Sequence, residues 1–381
     1  MKLFPLIKLM LFASPVFAQK NNNPSFRWEI ANELPAGNGQ AVSLGVAGPV
    51  TGVYNKYFIV AGGANFPAGM PWEGGAKKYD DRICLYSQER RQLKLKTTEY
   101  TLPQPVAYAA SGSIDDGLIY AGGENAAGIT GKVWLLSIDK DGIIRFDSLP
   151  SLPIPVSNAA MTIVDNTAYL AGGENSSQTF NQLLTLDLSD SNSGWKKLAD
   201  IPQPVSHAVL IAIKNKTGVT LYLSGGRKKN SSGISTLYNH FWAYSASTNN
   251  WQEKPPLPYV LCAGTGLQTD EHTILLFGGD KGTVFNKVET LIAAIQKEQD
   301  PEKKQALTLE KNKLQSTHPG FSREILRFDL KKETWSIAGQ LPFETPVTTT
   351  AVKGKYSILI PSGEIKAGVR TPNILSLKIR R

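Results

Sequence analysis

The chain has 381 residues, of which 41% are hydrophobic and 19% are charged, and its formal net charge is +9. This composition is typical of a globular protein and excludes a disordered chain. The positive charge favours anionic ligands, but no dense run of lysine and arginine with interleaved aromatic residues indicates a nucleic-acid partner.

Residues 1–18 have the features of a secretory leader. Lys2 and Lys8 provide positive charge, an apolar run follows from Leu9 to Phe17, and a small-x-small cleavage site ends at Ala18. The apolar run is too short to span a bilayer, and no other apolar stretch reaches membrane length. We therefore expect the mature protein to be exported to a periplasm, without a membrane span.

A short β-type run that ends in a glycine pair recurs along the remaining chain. These runs have the composition and length of buried strands. The pairs follow one another at intervals of 50 to 60 residues and begin at Gly62, Gly122, Gly172, Gly225 and Gly278. A sixth copy ends in Ser362-Gly363, 84 residues after the fifth pair.

A second marker also occurs once in every repeat. It is a Leu-Pro or Ile-Pro dipeptide at the end of an outer strand. The prolines of these exits are Pro35, Pro103, Pro150, Pro202, Pro258 and Pro342. Proline cannot continue a strand ladder, so each marks the end of a strand. Four strands in about 50 residues are typical of a propeller blade. The sequence therefore predicts an all-β, six-bladed propeller over residues 19–381.

The order of the markers also predicts how the propeller closes. The chain begins with an outer strand at 28–34 that has no partner before it. It ends with a third strand at 374–379 that has no outer strand after it. We expect the N-terminal strand to complete the last blade, because this closure removes free sheet edges.

One long insertion, at about 284–322, interrupts the fifth repeat. Val288, Leu291 and Ile295 fall at helical spacing, and Asp300-Pro301 is a typical helix start. We predict a helical hairpin on the face that carries the glycine-pair loops. It either forms a wall over a central pocket or packs on the rim, and its place directly before the sixth repeat favours the wall.

The cysteine and histidine content predicts no metal site. Cys84 and Cys262 lie in different repeats and in apolar strand contexts. They are either buried free thiols, which we favour, or a disulfide that export would permit. Neither these cysteines nor the 4 histidines have the spacing of metal ligands.

The glycine-pair loops of a propeller converge on its axis, where a pocket gathers side chains from distant repeats. Candidate groups for binding a polyhydroxylated anion are Asn65, Asn125, Asn175, Arg227 and Lys366. Any of them could instead cap its own turn. That alternative is favoured for the two Glu-Asn pairs that recur at the same place, at 124–125 and 174–175.

The sixth repeat departs from the pattern and places Glu364 and Arg370 six residues apart in one loop. A carboxylate acts as a general acid or base when its surroundings adjust its pKa. An arginine presents a planar fork suited to a carboxylate of the substrate. The pair therefore predicts an acid/base beside an anion clamp, with a surface salt bridge across a turn as the alternative.

The glycine pairs, the spaced aromatic residues and the later tryptophan resemble the kelch repeat. The stretch Gly-Glu-Ile-Lys-Ala-Gly-Val-Arg-Thr at 363–371 closely resembles the G-E-x-K-x-G-x-R-T loop of the N-acetylneuraminate epimerases, the sialic acid mutarotases. The stretches at 62–66 and 77–79 resemble a second loop of that family. The order of the two loops is reversed here, which resembles a cyclically permuted subfamily and leaves the pocket of a closed ring unchanged.

This resemblance implies an exported six-bladed kelch propeller that interconverts the α and β anomers of N-acetylneuraminate without a cofactor. It assigns Glu364 as the acid/base that moves a proton between the anomeric hydroxyl and the ring oxygen. It assigns Arg370 to the C1 carboxylate of this small anionic sugar. The oligomeric state is not predicted.

Three other functions are compatible with a propeller to different degrees. A non-catalytic propeller that binds a glycan or a protein is the main alternative. A sialidase would need repeated Ser-x-Asp-x-Gly-x-x-Trp boxes, and the stretch from Ser191 to Trp195 does not match one. A copper oxidase would need a Tyr, Cys and His ligand set, which the sparse histidines and cysteines disfavour.

Overall fold

A computed structural model describes residues 26–379, except 38–39, 90–91, 116, 140, 142, 191, 193 and 217. The predicted leader at 1–18 lies outside the described residues. Within them, six four-stranded antiparallel sheets form the blades of a propeller, as the repeats predict. No helix in the described ranges is long and apolar enough to cross a membrane.

The first strand and the first three blades occupy the N-terminal half of the chain, with strands numbered in chain order. The first strand is β1 (Phe26–Glu33). Blade one contains β2 (Val50–Tyr54), β3 (Tyr57–Ala61), β4 (Ala64–Asn65), β5 (Lys78–Tyr79), β6 (Ile83–Glu89) and β7 (Gln92–Thr97). Blade two contains β8 (Ala110–Ile114), β9 (Gly117–Ala121), β10 (Glu124–Asn125), β11 (Gly128–Ile129), β12 (Val133–Ile138) and β13 (Ile144–Leu149). Blade three contains β14 (Ala160–Val164), β15 (Thr167–Ala171), β16 (Leu183–Asp187) and β17 (Lys196–Lys197).

The last three blades follow in the same manner. Blade four contains β18 (Val209–Asn215), β19 (Gly218–Ser224), β20 (Arg227–Lys228), β21 (Thr236–Leu237), β22 (Phe241–Ser245) and β23 (Asn250–Lys254). Blade five contains β24 (Thr265–Asp270), β25 (Thr273–Phe277), α1 (Thr283–Lys297), α2 (Pro301–Ser316), β26 (Glu324–Asp329) and β27 (Thr334–Gln340). Blade six contains β28 (Val352–Lys353), β29 (Ile358–Pro361), β30 (Glu364–Lys366), β31 (Val369–Arg370) and β32 (Asn373–Ile379).

Each pair of neighbouring blades shares a hydrophobic cluster, so the second strand of a blade is buried on both faces. In blade one, Ile59 packs with Leu118 of blade two, whereas Phe58 packs with Leu359 of blade six. Successive residues of a strand point to opposite faces. Burial of such side chains contributes about 1.5–3 kcal/mol each. This arrangement explains why these strands are continuous apolar runs in the sequence.

The ring closes through β1, which is the outermost strand of blade six. It pairs in antiparallel register with β32, with Trp28 opposite Leu377. The Trp28 ring also packs edge-on against Phe277 of blade five, at a centroid distance of 5.8 Å. The first strand of the chain therefore fastens the last blade to its neighbour.

The glycine pairs are required because both residues have positive φ. At Gly62, where φ is +62°, a Cβ atom would lie 2.5 Å from the carbonyl oxygen of Val106. Ser362 keeps this conformation in blade six, with φ of +50°. Its hydroxyl lies 2.8 Å from the Val46 amide and 2.7 Å from the Thr371 carbonyl oxygen. The serine thus ties blade one to the end of the sixth loop, a connection that glycine cannot make.

The insertion forms two helices in blade five, as predicted. They occupy Thr283–Lys297 and Pro301–Ser316, between β25 and β26. Asp300 caps α2, because its carboxylate accepts the backbone N–H groups of Glu302 and Lys303. Pro301 at the first helical position completes the predicted start signal.

The two cysteines are buried free thiols, so the alternative of a disulfide is excluded. Cys84 packs between blades six and one. Burial raises the pKa of its thiol to about 12. Burial also raises the pKa of Cys262. Both sulfur atoms therefore stay protonated and behave as small apolar groups.

Candidate active site

Each blade presents one residue to the axis directly after its glycine pair. These six residues are Ala64, Glu124, Glu174, Arg227, Asp280 and Glu364. Each forms an isolated β-bridge with a residue that precedes the inner strand of its own blade. Five of the six side chains are ionisable, so the glycine-pair face of the propeller surrounds its axis with charge.

A closed ring of backbone hydrogen bonds forms the floor of this face. One residue of each blade takes part, and its N–H donates to the carbonyl of the equivalent residue in the preceding blade at 2.7–2.9 Å. All six residues have φ between +51° and +64°. They are Gly48, Tyr108, Asn158, His207, Ala263 and Thr348. All six ring residues, together with mostly small residues that follow them in the sequence, line an axial cavity of about 120 Å³.

Glu364 and Arg370 are brought together by the two short strands of the sixth loop. They are direct partners in the register of β30 and β31. Arg370 Nη2 lies 3.5 Å from Glu364 Oε2, and Glu364 Oε1 accepts the N–H of Gly368 at 2.8 Å. The side chain of Glu364 is 20% exposed and that of Arg370 is 4% exposed. The pair is therefore mostly buried, unlike the alternative of a surface salt bridge.

The guanidinium of Arg370 has unused hydrogen-bonding capacity. Its Nε and Nη1 atoms are buried and have no hydrogen-bond partner among the described residues. The ring of Phe66 lies against it, with the guanidinium carbon 4.6 Å from the ring centroid. Buried polar groups are nearly always paired. A planar cation with unpaired N–H donors favours a carboxylate as its partner.

Tyr108 and Lys77 form a second side of the site. The Lys77 ammonium lies 5.1 Å from the centre of the Tyr108 ring and 2.8 Å from Glu124 Oε1. Burial raises the pKa of Tyr108, although the charges of Lys77 and Arg370 act in the opposite direction. The phenol is thus neutral at pH 7, close to two cations and to Glu364.

His318 lies on another side, in the segment that follows α2. It is 8% exposed, and its Nδ1 accepts the N–H of Gly320 at 3.0 Å. Burial lowers the pKa of His318, while the charges of Asp280 and Glu364 raise it. The ring is therefore neutral, and the acceptor role of Nδ1 leaves the proton on Nε2.

The helical insertion spans this face rather than packing only on the rim. In α1, Glu289 accepts the N–H of Ser235 of blade four at 2.6 Å. In α2, Asn312 donates to the carbonyl of Trp72 of blade one at 3.4 Å. Trp72 packs in turn against the sixth loop, because a Cβ at Gly368 would lie 3.1 Å from its ring. The insertion is thus connected to the Glu364 loop through blade one.

Arg227, a predicted binding residue, lies in a different cluster. Its Nη2 is 3.0 Å from Glu174 Oε1, its Nη1 donates to Ser235 at 3.0 Å, and its Nε points to Nδ1 of His207 at 3.4 Å. Glu174 also accepts the hydroxyl of Ser206 at 2.7 Å. All three guanidinium nitrogens of Arg227 are therefore used within the chain.

The remaining predicted residues do not meet at the axis. Asn65 donates to the Gly45 carbonyl at 3.0 Å. Asn125 and Asn175 accept backbone N–H groups of their own turns. Lys366 pairs with Glu344 at 3.0 Å, and both side chains are exposed. These asparagines follow the axial position by one residue, so their side chains point to the other side of the short strands.

Tyr108, His207 and His318 were not predicted as site residues from the sequence. A signal for the ring residues was present, because Pro-Val-Ala-Tyr, Pro-Val-Ser-Asn and Pro-Val-Ser-His end at 108, 158 and 207. The last residue of each tetrapeptide belongs to the ring. His318 has no comparable repeat signal, since it lies in the insertion.

The fold and the site define a six-bladed propeller with a buried glutamate–arginine pair beside its axis. A family model described as N-acetylneuraminate epimerase matches residues 149–381, which is more than half of the chain and includes the sixth loop. The chain belongs to the N-acetylneuraminate epimerase family.

Curated relatives with this name are similar to the chain over a limited length. The N-acetylneuraminate epimerase of Yersinia enterocolitica is 31% identical over 195 residues, which is 49% of this chain and 47% of the relative. The protein of the same name from Haemophilus influenzae is 28% identical over 198 residues, 50% of each chain. The chain spans about half the length of the curated relatives it matches.

Proposed function

We propose that this protein is an isomerase that interconverts the α and β anomers of N-acetylneuraminate. The observation that carries the proposal is the buried Glu364–Arg370 pair, in which the arginine has two unpaired N–H donors. Membership of the N-acetylneuraminate epimerase family supports the choice of sugar. The formal charge of +9 is favourable for an anionic substrate.

In the proposed complex, the guanidinium of Arg370 binds the C1 carboxylate of the sugar. This carboxylate is attached to C2, the anomeric carbon. Binding it beside Glu364 therefore places the anomeric hydroxyl next to a carboxylate. Phe66 lies against the guanidinium and restricts its orientation.

Anomer exchange proceeds by opening and reclosing the sugar ring. Glu364 removes the proton of the anomeric hydroxyl as the bond from C2 to the ring oxygen breaks, and the ring oxygen takes the electron pair of that bond and gains a proton. The resulting ketone turns about the adjacent bond and is attacked on its other face. Positioned acid–base catalysis contributes about 10²–10⁴-fold to a rate, which is sufficient for a reaction that also occurs slowly in water. The proposed chemistry uses side chains alone and calls for no cofactor.

We also propose that the protein acts after export to a periplasm, where free sugar would reach it. This part depends on the leader predicted at residues 1–18. N-terminal sequencing of the protein secreted by a bacterial host tests it. Cleavage after Ala18 is expected, and an intact N-terminus in the cytoplasmic fraction would oppose it.

Proton NMR of freshly released α-N-acetylneuraminate tests the proposed activity. Wild-type protein is expected to accelerate the appearance of the β anomer, whereas Glu364→Gln, a variant of nearly the same shape, is expected not to. A non-catalytic propeller would also use the free donors of Arg370 to bind the sugar. Binding without acceleration by the wild type would identify that alternative.

A further inference from the structure

Ring opening requires two proton transfers, and the environment of Glu364 indicates that a second residue takes part. This inference rests on the proposed function. The anomeric hydroxyl must lose a proton while the ring oxygen gains one. Glu364 Oε1 already accepts the N–H of Gly368 at 2.8 Å, and Oε2 faces Arg370 at 3.5 Å. These contacts fix the carboxylate in one position, where it can take the anomeric proton, and this favours a separate donor for the ring oxygen.

We propose that Tyr108 is a second catalytic residue, whose phenol donates the proton that the ring oxygen receives. As the bond from C2 to the ring oxygen breaks, its electron pair moves to that oxygen and takes the phenol proton. The electrons of the anomeric O–H bond form the C2 carbonyl, and Glu364 holds the released proton. Reclosure on the other face reverses both transfers, so the two side chains return to their starting states.

The position of Tyr108 across a blade boundary supports this role. Tyr108 belongs to the ring segment of blade two, and its backbone N–H donates to Gly48, whose N–H donates in turn to Thr348 of blade six. Thr348 directly follows the bridge partner of Glu364, and the charge of Glu364 acts on the Tyr108 hydroxyl. The Tyr108 ring crosses blade one at Gly48, where a Cβ would lie 2.5 Å from Tyr108 Cδ1. Gly48 is the ring residue without a side chain, so the missing atoms provide the space that Tyr108 occupies.

The backbone of Tyr108 carries a conformational cost. Its φ is +57°, in the left-handed region that bulky side chains rarely adopt. The other five ring residues have the same conformation, so this cost belongs to the ring as a whole.

The charges around Tyr108 suit a proton donor. Burial raises its pKa, so the resting phenol carries the proton to be donated. After donation, the phenolate lies near the ammonium of Lys77, 5.1 Å from the ring centre, and near Arg370. Two cations therefore stabilise the charge that develops, which lowers the barrier to transfer.

Tyr108→Phe, which removes only the hydroxyl, tests the inference when anomer exchange and sugar binding are measured separately. The exchange rate at saturating N-acetylneuraminate is expected to fall about 10²-fold, whereas the dissociation constant is expected to change less than about 2-fold. Tyr244→Phe is the matched control. The Tyr244 hydroxyl donates to Asn249 at 2.7 Å in the buried part of blade four, and its loss is expected to leave the exchange rate unchanged.

Exchange by Tyr108→Phe at the wild-type rate would overturn the inference, as would equal losses of rate and of binding. Failure of the wild type to accelerate exchange would overturn the proposed function itself, and the two failures are thus distinguishable. If Tyr108→Phe does not fold, wild-type protein containing 3-fluorotyrosine provides a second measurement. Its more acidic phenol is expected to move the alkaline decline of the catalysed rate to lower pH. An unchanged decline would overturn the inference.

Discussion

Two glutamate–arginine pairs face the same end of the propeller, and they differ in how completely the chain satisfies them. Glu174 follows a glycine pair and Glu364 follows Ser362-Gly363, at equivalent positions of their blades. The pair Glu174–Arg227 joins blades three and four, the middle blades in chain order, and is called the middle pair. Its ions are 3.0 Å apart, and each has further partners. In the sixth-blade pair, Glu364–Arg370, the ions are 3.5 Å apart and two guanidinium nitrogens have no partner among the described residues.

We interpret the first pair as structural and propose that the second pair, whose carboxylate is 20% exposed, binds the ligand. A buried charge is costly unless hydrogen bonds compensate it. The middle pair is compensated within the protein, so it holds blades three and four and the inserted helix α1 together. The sixth-blade pair is compensated only in part. A bound carboxylate would complete its hydrogen bonds, and this is the basis for assigning catalysis to Glu364 and not to Glu174.

The largest expected effect is on the rate of anomer exchange in Glu364→Gln. The amide cannot accept the anomeric proton, so we expect the catalysed rate to fall by about 10²–10⁴-fold. Saturation-transfer NMR between the two anomers measures it. Glu174→Gln is the control at the equivalent position, and its rate per folded molecule is expected to match that of the wild type. A similar loss in both variants would contradict the distinction between the pairs.

The second largest expected effect is on stability, where Glu174→Gln is expected to lose more than Glu364→Gln. Glu174→Gln removes the carboxylate that lies 3.0 Å from Arg227 and 3.2 Å from Lys229, although Glu289 remains 3.8 Å from Arg227. Breaking a buried ion pair typically costs about 3–5 kcal/mol. Glu364→Gln is expected to lose less stability, because the ion pair that it removes is longer, at 3.5 Å, and the Glu364 side chain is 20% exposed. Urea unfolding followed by fluorescence measures both. Equal midpoints for the two variants would show that the middle pair has no special structural role.

Glu174→Gln also distinguishes the two pairs through the pH dependence of stability. Burial opposes the ionisation of Glu174, but neighbouring bases including Arg227 and Lys229 outweigh it and hold the pKa of Glu174 below its ordinary value of 4.5. The resulting stability is present above about pH 4.5 and is lost as pH falls through the lower value of the folded state. Glu174→Gln should therefore lose less stability than the wild type on acidification below pH 4.5.

Arg370→Lys is expected to weaken sugar binding by about 10–100-fold. Lysine keeps the positive charge but replaces a planar fork with a point charge, and hydrogen bonds to charged groups contribute about 1.5–3 kcal/mol each. Isothermal titration with N-acetylneuraminate measures the dissociation constant. An unchanged constant would place the carboxylate of the sugar elsewhere. A loss of affinity that disappears at high salt would indicate long-range attraction instead of a direct contact.

The fold could be predicted from the sequence because each blade contains the same two local signals. The glycine pairs and the proline exits depend on backbone geometry, which the residue type largely determines. The helix start at Asp300 could be predicted for the same reason. Ser362 was visible as a departure from the repeat, and its hydroxyl contacts explain why serine replaces glycine there.

The membership of the site was harder to predict, because it depends on side-chain direction and on ring closure. Glu124 and Asn125 are adjacent in the sequence, yet only Glu124 occupies the axial position. Successive side chains of a strand point to opposite faces. Tyr108 and Arg370 are 262 residues apart and meet only when six blades close into a ring. No local pattern contains that contact.

The smallest expected effect concerns Asn125→Ala, which tests a predicted binding residue whose side chain serves its own turn. The Asn125 oxygen accepts the N–H of Ala127 at 2.9 Å. Loss of one such bond costs about 0.5–1.5 kcal/mol, so we expect a small fall in the unfolding midpoint and an exchange rate within about 2-fold of the wild type. A larger dissociation constant for the sugar with unchanged stability would instead support the prediction that Asn125 binds the substrate. It would mean that Asn125 exchanges its turn contact for the sugar, and that the ligand extends beyond the six axial residues.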